Sequence, residues 1–176
     1  MKIDIIDDFL TDYQHQSLLR TFSLADVPSG TVGSPFPWYF TNDLNGEVRL
    51  GNFYFSSIIM DEYHILNEYW LPVFTSLLSK LNVSLNTVWR VKANLYPRTQ
   101  WKVHHESHTD YSSGQNLSTC LYYVNDSNRV TIFDGKKKIR CKGNRAIIFD
   151  GSTLHHSTTP TDANCGISIN IDYNKS

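Results

Sequence analysis

Apolar residues open the chain at Ile3, Ile5 and Ile6 and lead into Phe9-Leu10. Thr11 then reads as an N-cap, with Gln14 placed to return the hydrogen bond of a capping box. A helix is predicted from there to about Phe22 or Leu24, with Leu18, Leu19 and Phe22 turned inward. From Val27 to Pro37 the chain is rich in Pro, Gly and Ser, which marks a loop. It runs into the aromatic, strand-like stretch Pro35 to Phe40. The longest helical pattern spans Ser57 to Leu81, where Ile59, Tyr63, Leu66, Trp70, Phe74, Leu77 and Leu81 recur at three- and four-residue spacing. Pro72 lies inside it and either kinks that helix or starts a second one, because proline lacks the N–H and crowds the preceding turn.

Beyond Asn86 the pattern changes to short β-branched or aromatic segments separated by turn residues, at 88–95, 101–105, 116–124, 129–133, 136–141, 145–149 and 165–173. Asp134-Gly135 is a hairpin signal between two of them. In the last, Ile167, Ile169 and Ile171 alternate with Ser168, Asn170 and Asp172, so that one face is expected buried and the other polar. Helices followed by about seven antiparallel strands predict an α+β, mainly β chain built as a double-sheet jelly roll or barrel with helices packed outside. One domain is expected over residues 1–176, with helical and loop elements in 1–87 and a β-rich core in 88–176.

Composition narrows the functional classes. A net charge of −1 argues against a dedicated nucleic-acid-binding module, which carries a basic face. The one basic run, Lys136-Lys137-Lys138, reads as a solvated turn edge. No stretch approaches the roughly 18 apolar residues of a membrane span, and the acidic N-terminus lacks the apolar core of a signal peptide. A soluble protein of the reducing cytoplasm is expected. Cys120, Cys141 and Cys165 are odd in number and too widely spaced for a C-x-x-C site, so they read as buried small hydrophobes.

Histidine carries the candidate chemistry. His104, His105, His108, His155 and His156 fall in two clusters beside predicted strands. His108-Thr109-Asp110 places an imidazole and a carboxylate at i and i+2, on one face if the backbone is extended. With His155 or His156 from another strand, this is the two-His, one-carboxylate donor set that leaves one side of a metal open.

The stretch Arg90 to Tyr173 resembles the Fe(II)/2-oxoglutarate-dependent dioxygenases, in particular the small prolyl-4-hydroxylase-like members found in phages and marine microbes. The resemblance is carried by Arg90-Val91-Lys92-Ala93-Asn94-Leu95, His108-Thr109-Asp110-Tyr111, Tyr122-Tyr123-Val124-Asn125, Thr131 to Gly135, Asn144 to Gly151 with His155, and Ile169 to Tyr173. It implies a cupin-like double-stranded β-helix with Fe(II) at its mouth, 2-oxoglutarate as co-substrate, O2 as oxidant, and hydroxylation of an unassigned substrate: a peptide side chain, a metabolite or a nucleotide. His108, Asp110 and His155 are the implied ligands, with His156 the alternate third.

The family's arginine for the distal carboxylate of 2-oxoglutarate is replaced here by Gly166. Arg90, Lys92, Arg129, Arg140 and Arg145 are the cations available to replace it, and Tyr96 and Tyr123 are candidate hydrogen-bond donors. Of these, Arg90, Arg145, Tyr96 and Tyr123 are the co-substrate residues expected from the sequence. The alternative is a catalytically impaired jelly-roll module that binds a metal or ligand without turnover. The aromatic loop Phe36 to Phe40 and residues 111–115 are expected to border the mouth.

Overall fold

The computed structural model describes residues 2–22, 36–44, 47–48, 53–111 and 116–174. Its elements in chain order are β1 (Ile3–Ile6), α1 (Asp12–Thr21), β2 (Tyr39–Thr41), β3 (Asp43–Leu44), β4 (Glu47–Val48), β5 (Tyr54–Asp61), β6 (His64–Ile65) and α2 (Leu71–Leu81), then β7 (Val88–Pro97), β8 (Leu117–Tyr123), β9 (Val130–Phe133), β10 (Lys137–Arg140), β11 (Arg145–Asp150), β12 (His155–Ser157) and β13 (Cys165–Asn174).

Local chemistry accounts for the helix ends. Thr11 and Gln14 form the reciprocal capping box at the start of α1. Pro72 occupies the first turn of α2, where its missing N–H removes no intrahelical bond, and Asn82 closes that helix in the left-handed conformation at φ 55°. The long helix expected over Ser57 to Leu81 is therefore only half helix. Its first part is β5, and Glu62 and Tyr63, both at positive φ (47° and 65°), turn the chain back so that Asp61 pairs with His64. The three- and four-residue spacing from Ile59 to Trp70 arises from residues on a strand, a tight turn and a loop.

A large sheet has the order β1-β11-β8-β13-β7-β5-β2, and a small one the order β10-β9-β12. Bridges from His108 to His155 and from His104 to Thr158 lay the segment 104–108 beside β12. The predicted strand over 101–105 is reduced to that contact, while β12 is a strand the hydrophobic pattern did not mark. From β7 onward the chain winds between the two sheets, with β9 and β10 forming a hairpin within the small one, as in a double-stranded β-helix. Asp134 and Gly135 turn β9 into β10 at φ 48° and 68°, as the hairpin signal predicts.

Helices α1 and α2 cover the outer face of the large sheet. Leu18, Phe74 and Leu77 pack there against Val91, Ala93, Ile167, Ile169 and Ile171. Between the sheets one half is apolar, filled by Leu121, Tyr123, Phe133, Ile147 and Phe149. The other half is polar. Gly166, Ser168, Asn170 and Asp172 of β13 pair with Tyr96, Asn94, Lys92 and Arg90 of β7, and residues so paired share a face. The polar alternation in β13 thus faces an interior: Ser168, Asn170 and Asp172 are 2%, 9% and 0% exposed. No helix among the described residues is long and apolar enough to cross a membrane.

Candidate metal centre and its cavity

Two backbone hydrogen bonds zip the His108 and His155 peptides together, at 2.8 and 2.9 Å, and the Asp110 N–H donates to the Gly151 carbonyl at 3.0 Å. Directly opposed residues project to one side, as do residues i and i+2, so both imidazoles and the carboxylate converge. Their ligand atoms all lie within 4.8 Å of one another, and His155 Nε2 is 3.7 Å from Asp110 Oδ2. Each ring is oriented by its own chain: His108 Nδ1 meets the Glu106 carbonyl at 3.1 Å and His155 Nδ1 the Thr153 carbonyl at 2.9 Å. A carbonyl only accepts, so both Nδ1 atoms carry the proton and both Nε2 lone pairs are left for a ligand. Burial, and then His155, holds the His108 imidazole below its ordinary pKa, in the neutral form a metal requires. Two imidazoles and one carboxylate on one side of a point fit a divalent transition metal with open positions opposite.

The carboxylate is positioned by a buried network. Arg90 Nη2 donates to Asp110 Oδ1 at 3.1 Å and Arg90 Nε to Asp172 Oδ2 at 2.8 Å. Thr119 Oγ1 lies 2.7 Å from Asp172 Oδ1 and 3.2 Å from Asp110 Oδ2. Asp172 is fully buried, and burial, followed by the Asp110 charge, raises its carboxyl above the ordinary range against the pull of Arg90. Arg90 engages Asp110 through Oδ1, which directs Oδ2 toward the histidines.

A cavity of about 280 Å3 runs from the three residues along the polar face of β7 and β13 to Arg129. Arg129 is 1% exposed. Its Nε donates to the Thr158 carbonyl at 2.9 Å, and its guanidinium lies 3.9 Å over the Tyr96 ring. Among the described residues no carboxylate pairs with it. The side chain passes over Gly166, where an added Cβ would overlap the Arg129 Cδ. Tyr54 stacks on Tyr96 at 5.4 Å, and Lys92 Nζ reaches the Tyr54 hydroxyl at 3.1 Å.

The other expected co-substrate residues separate. Tyr96 and Arg90 line the cavity, Arg90 engaged by two carboxylates. Tyr123 does not line it; its hydroxyl donates to Thr131 Oγ1 at 2.8 Å within the apolar half. Arg145 is outside it altogether, paired with Asp7 at 2.6 and 3.0 Å. That pairing holds the Asp7 carboxyl down at about 2. His156, the alternate ligand, projects from the opposite side of β12 and meets Ser107 Oγ at 2.9 Å and His104 at 3.4 Å. It is not among the three converging residues because neighbours on a strand face apart. Thr119 and Asp172 went unmarked as site residues, although the polar row of β13 was a signal for the second. Of the residues expected to border the mouth, Phe36 is instead buried in the core with Phe22 and Phe74, and Tyr39, Phe40 and Tyr111 do not line the cavity; residues 112–115 lie outside the described residues.

No protein-family model and no curated protein matches the sequence. Solved structures do match the fold. The viral collagen prolyl hydroxylase of Paramecium bursaria Chlorella virus-1 is 17% identical with a TM-score of 0.56, covering 100% of this chain and 91% of that one. A Trichoplax adhaerens prolyl hydroxylase in complex with a hypoxia inducible factor peptide fragment is 19% identical, TM-score 0.62, over 98% and 83% of the two chains. An oxidoreductase of the 2OG-Fe(II) oxygenase family from Burkholderia pseudomallei is 12% identical, TM-score 0.65, over 98% and 84%. The fold of this chain is that of the 2-oxoglutarate/Fe(II) oxygenases.

Proposed function

We propose that this chain is a non-haem Fe(II)- and 2-oxoglutarate-dependent dioxygenase of the hydroxylase type, acting as one domain in the reducing cytoplasm. The observation that carries the reading is the meeting, in one cavity, of the His108, Asp110 and His155 donor set with a buried guanidinium that has no carboxylate partner among the described residues. Burying an unpaired charge is costly unless a ligand of opposite sign completes it. Gly166 motivated the impaired-module alternative. Arg129, just before β9, lies across that glycine, and a cation there supports the oxygenase reading over the module.

His108, Asp110 and His155 would hold the iron. When bound there, Fe(II) supplies O2 activation coupled to oxidative decarboxylation of 2-oxoglutarate and hydroxylation of a C–H bond. The chain's own contribution is positional. Carbonyls of Glu106 and Thr153 fix the two imidazole tautomers, and Arg90 with Thr119 orients the Asp110 carboxylate. Arg129 receives the distal carboxylate of the diacid as a charge-assisted pair. Tyr96 supports the guanidinium with its ring face, a contact worth about 2 kcal/mol when desolvated. Free cysteines, including the part-exposed Cys165, suit a reducing compartment.

Calorimetry tests the reading. Apoprotein titrated with Mn(II) and then with 2-oxoglutarate is expected to bind both, the second only after the first. With Fe(II) and O2 it is expected to form succinate. Metal binding without 2-oxoglutarate binding would favour the non-catalytic module instead.

A further inference from the structure

Three cations line the cavity, and they are not equivalent. Arg90 is engaged by two carboxylates, whereas Lys92 and Arg129 have none among the described residues. Each of these two is held instead on a tyrosine. Arg129 lies over Tyr96, and Lys92 Nζ is 5.2 Å from the Tyr54 ring centre and hydrogen-bonded to its hydroxyl. The two rings stack on each other, 5.4 Å between centroids. Burial, and next the charge of Arg90, pushes the Lys92 ammonium below its ordinary pKa; an anion beside it would reverse that push.

Charge bookkeeping singles out Lys92. With a divalent ion on the donor set and a dianionic co-substrate, the charges of the ion, the diacid, Arg90, Arg129, Asp110 and Asp172 cancel. The Lys92 ammonium is the charge left over. On the rungs beside it, Asn94 Nδ2 donates to Asn170 Oδ1 at 3.2 Å, which leaves amide donors of Asn170 for a ligand. The cavity, about 280 Å3 in all, must also hold the co-substrate, so the group that meets Lys92 is small.

We propose that the substrate is an organic acid, presenting a carboxylate to Lys92 close to the carbon that reacts. This rests on the oxygenase reading above. It adds a selection that the fold does not carry: an acid is preferred over its neutral amide, because the amide leaves the half-buried ammonium without a counter-charge.

The test uses acetate as the carboxylate probe, acetamide as its neutral isostere and the Lys92 13Cε resonance, assigned by its loss in Lys92→Met, as the reporter. Both the Zn(II) protein and its 2-oxoglutarate complex are titrated, Zn(II) serving as a diamagnetic stand-in. Acetate is expected to move the Lys92 signal saturably in both, and acetamide at least tenfold less. Lys92→Met is expected to bind 2-oxoglutarate within threefold of the wild type by calorimetry. An unmoved signal, an equal response to acetamide, or a response to inorganic phosphate alone overturns the proposal. So does a tenfold or greater loss of 2-oxoglutarate affinity in Lys92→Met, which would give Lys92 to the co-substrate. Failure of the oxygenase reading shows separately, as absent 2-oxoglutarate binding by the wild type before any acetate is added.

Discussion

The side chain of Arg129 stands where a side chain on residue 166 would have to stand. Arginine and glycine are therefore a matched pair: the cation reaches across from residue 129, just before β9, to the place on β13 that the glycine leaves bare. On the proposed function, the cation that β13 lacks is supplied by Arg129. Gly166→Ala is expected to displace Arg129 and lower 2-oxoglutarate affinity at least tenfold while Mn(II) affinity stays within threefold. Arg129→Ala should cost about 10- to 100-fold, the worth of a hydrogen bond to a charged group. The double change Arg129→Ala, Gly166→Arg returns the cation from β13 and should recover most of that loss. Calorimetry on the Mn(II) proteins reads all three, and a double variant no better than Arg129→Ala would show that the cation does not act at this place.

The metal ligands separate from their neighbour by the same measurement. His108→Ala, Asp110→Ala and His155→Ala each remove one of three donors and should abolish Mn(II) binding. His156→Ala, on the other side of β12, should leave it within threefold. A ligand at 100 times its Kd raises folding stability by about 2.7 kcal/mol, so a Mn(II)-dependent rise in Tm is expected in wild type and His156→Ala only. A rise in His155→Ala that vanishes in His156→Ala would transfer the third position to His156.

Much of this was legible in the sequence, for reasons that particular residues make plain. The Thr11–Gln14 box, the Asp134-Gly135 turn and the alternation in β13 are local rules that the fold obeys. His108 and Asp110 were readable because a two-residue spacing fixes a shared face on an extended backbone. The hairpin at Glu62–Tyr63 was not, because neither residue is the glycine or asparagine that usually takes positive φ. Arg129 was one of five candidate cations. What distinguishes it is a crossing between strands that are not sequence neighbours, and spacing along the chain carries no trace of that.

Arg90 joins the donor set to the buried Asp172. Replacing Arg90 by Met leaves Asp172 buried beside Asp110 without its counter-charge, which should cost about 3–5 kcal/mol of stability. Adding Asp172→Asn removes that orphaned charge and should restore most of the loss in urea unfolding. Metal affinity should not return with it. The Asp110 carboxylate stays unsupported at Oδ1, and losses of about 10- to 100-fold are the rule when such a support is removed. Recovery of stability and affinity together would mean that Arg90 acts only through the fold.

His105 gives the apoprotein an acid-side weakness. Its ring packs against Tyr96 and Tyr54, at centroid distances of 5.0 and 6.4 Å. Burial, and next the charge of Arg129, holds its pKa at about 4 against an ordinary 6.5. Between those two values the unfolded chain takes up a proton that the folded chain refuses. Stability is therefore whole above pH 6.5 and falls as pH drops toward 4, by about 3 kcal/mol in the limit at 1.36 kcal/mol per unit. Asp172 has the opposite sign, because its raised carboxyl binds protons in the folded state first, so the wild-type curve alone understates the effect. The difference between wild type and His105→Phe, which keeps a ring between the tyrosines, isolates it. Urea unfolding at intervals from pH 7 to pH 4 should show His105→Phe gaining on the wild type steadily as pH falls. A difference that does not vary with pH would mean that His105 is protonated inside the fold.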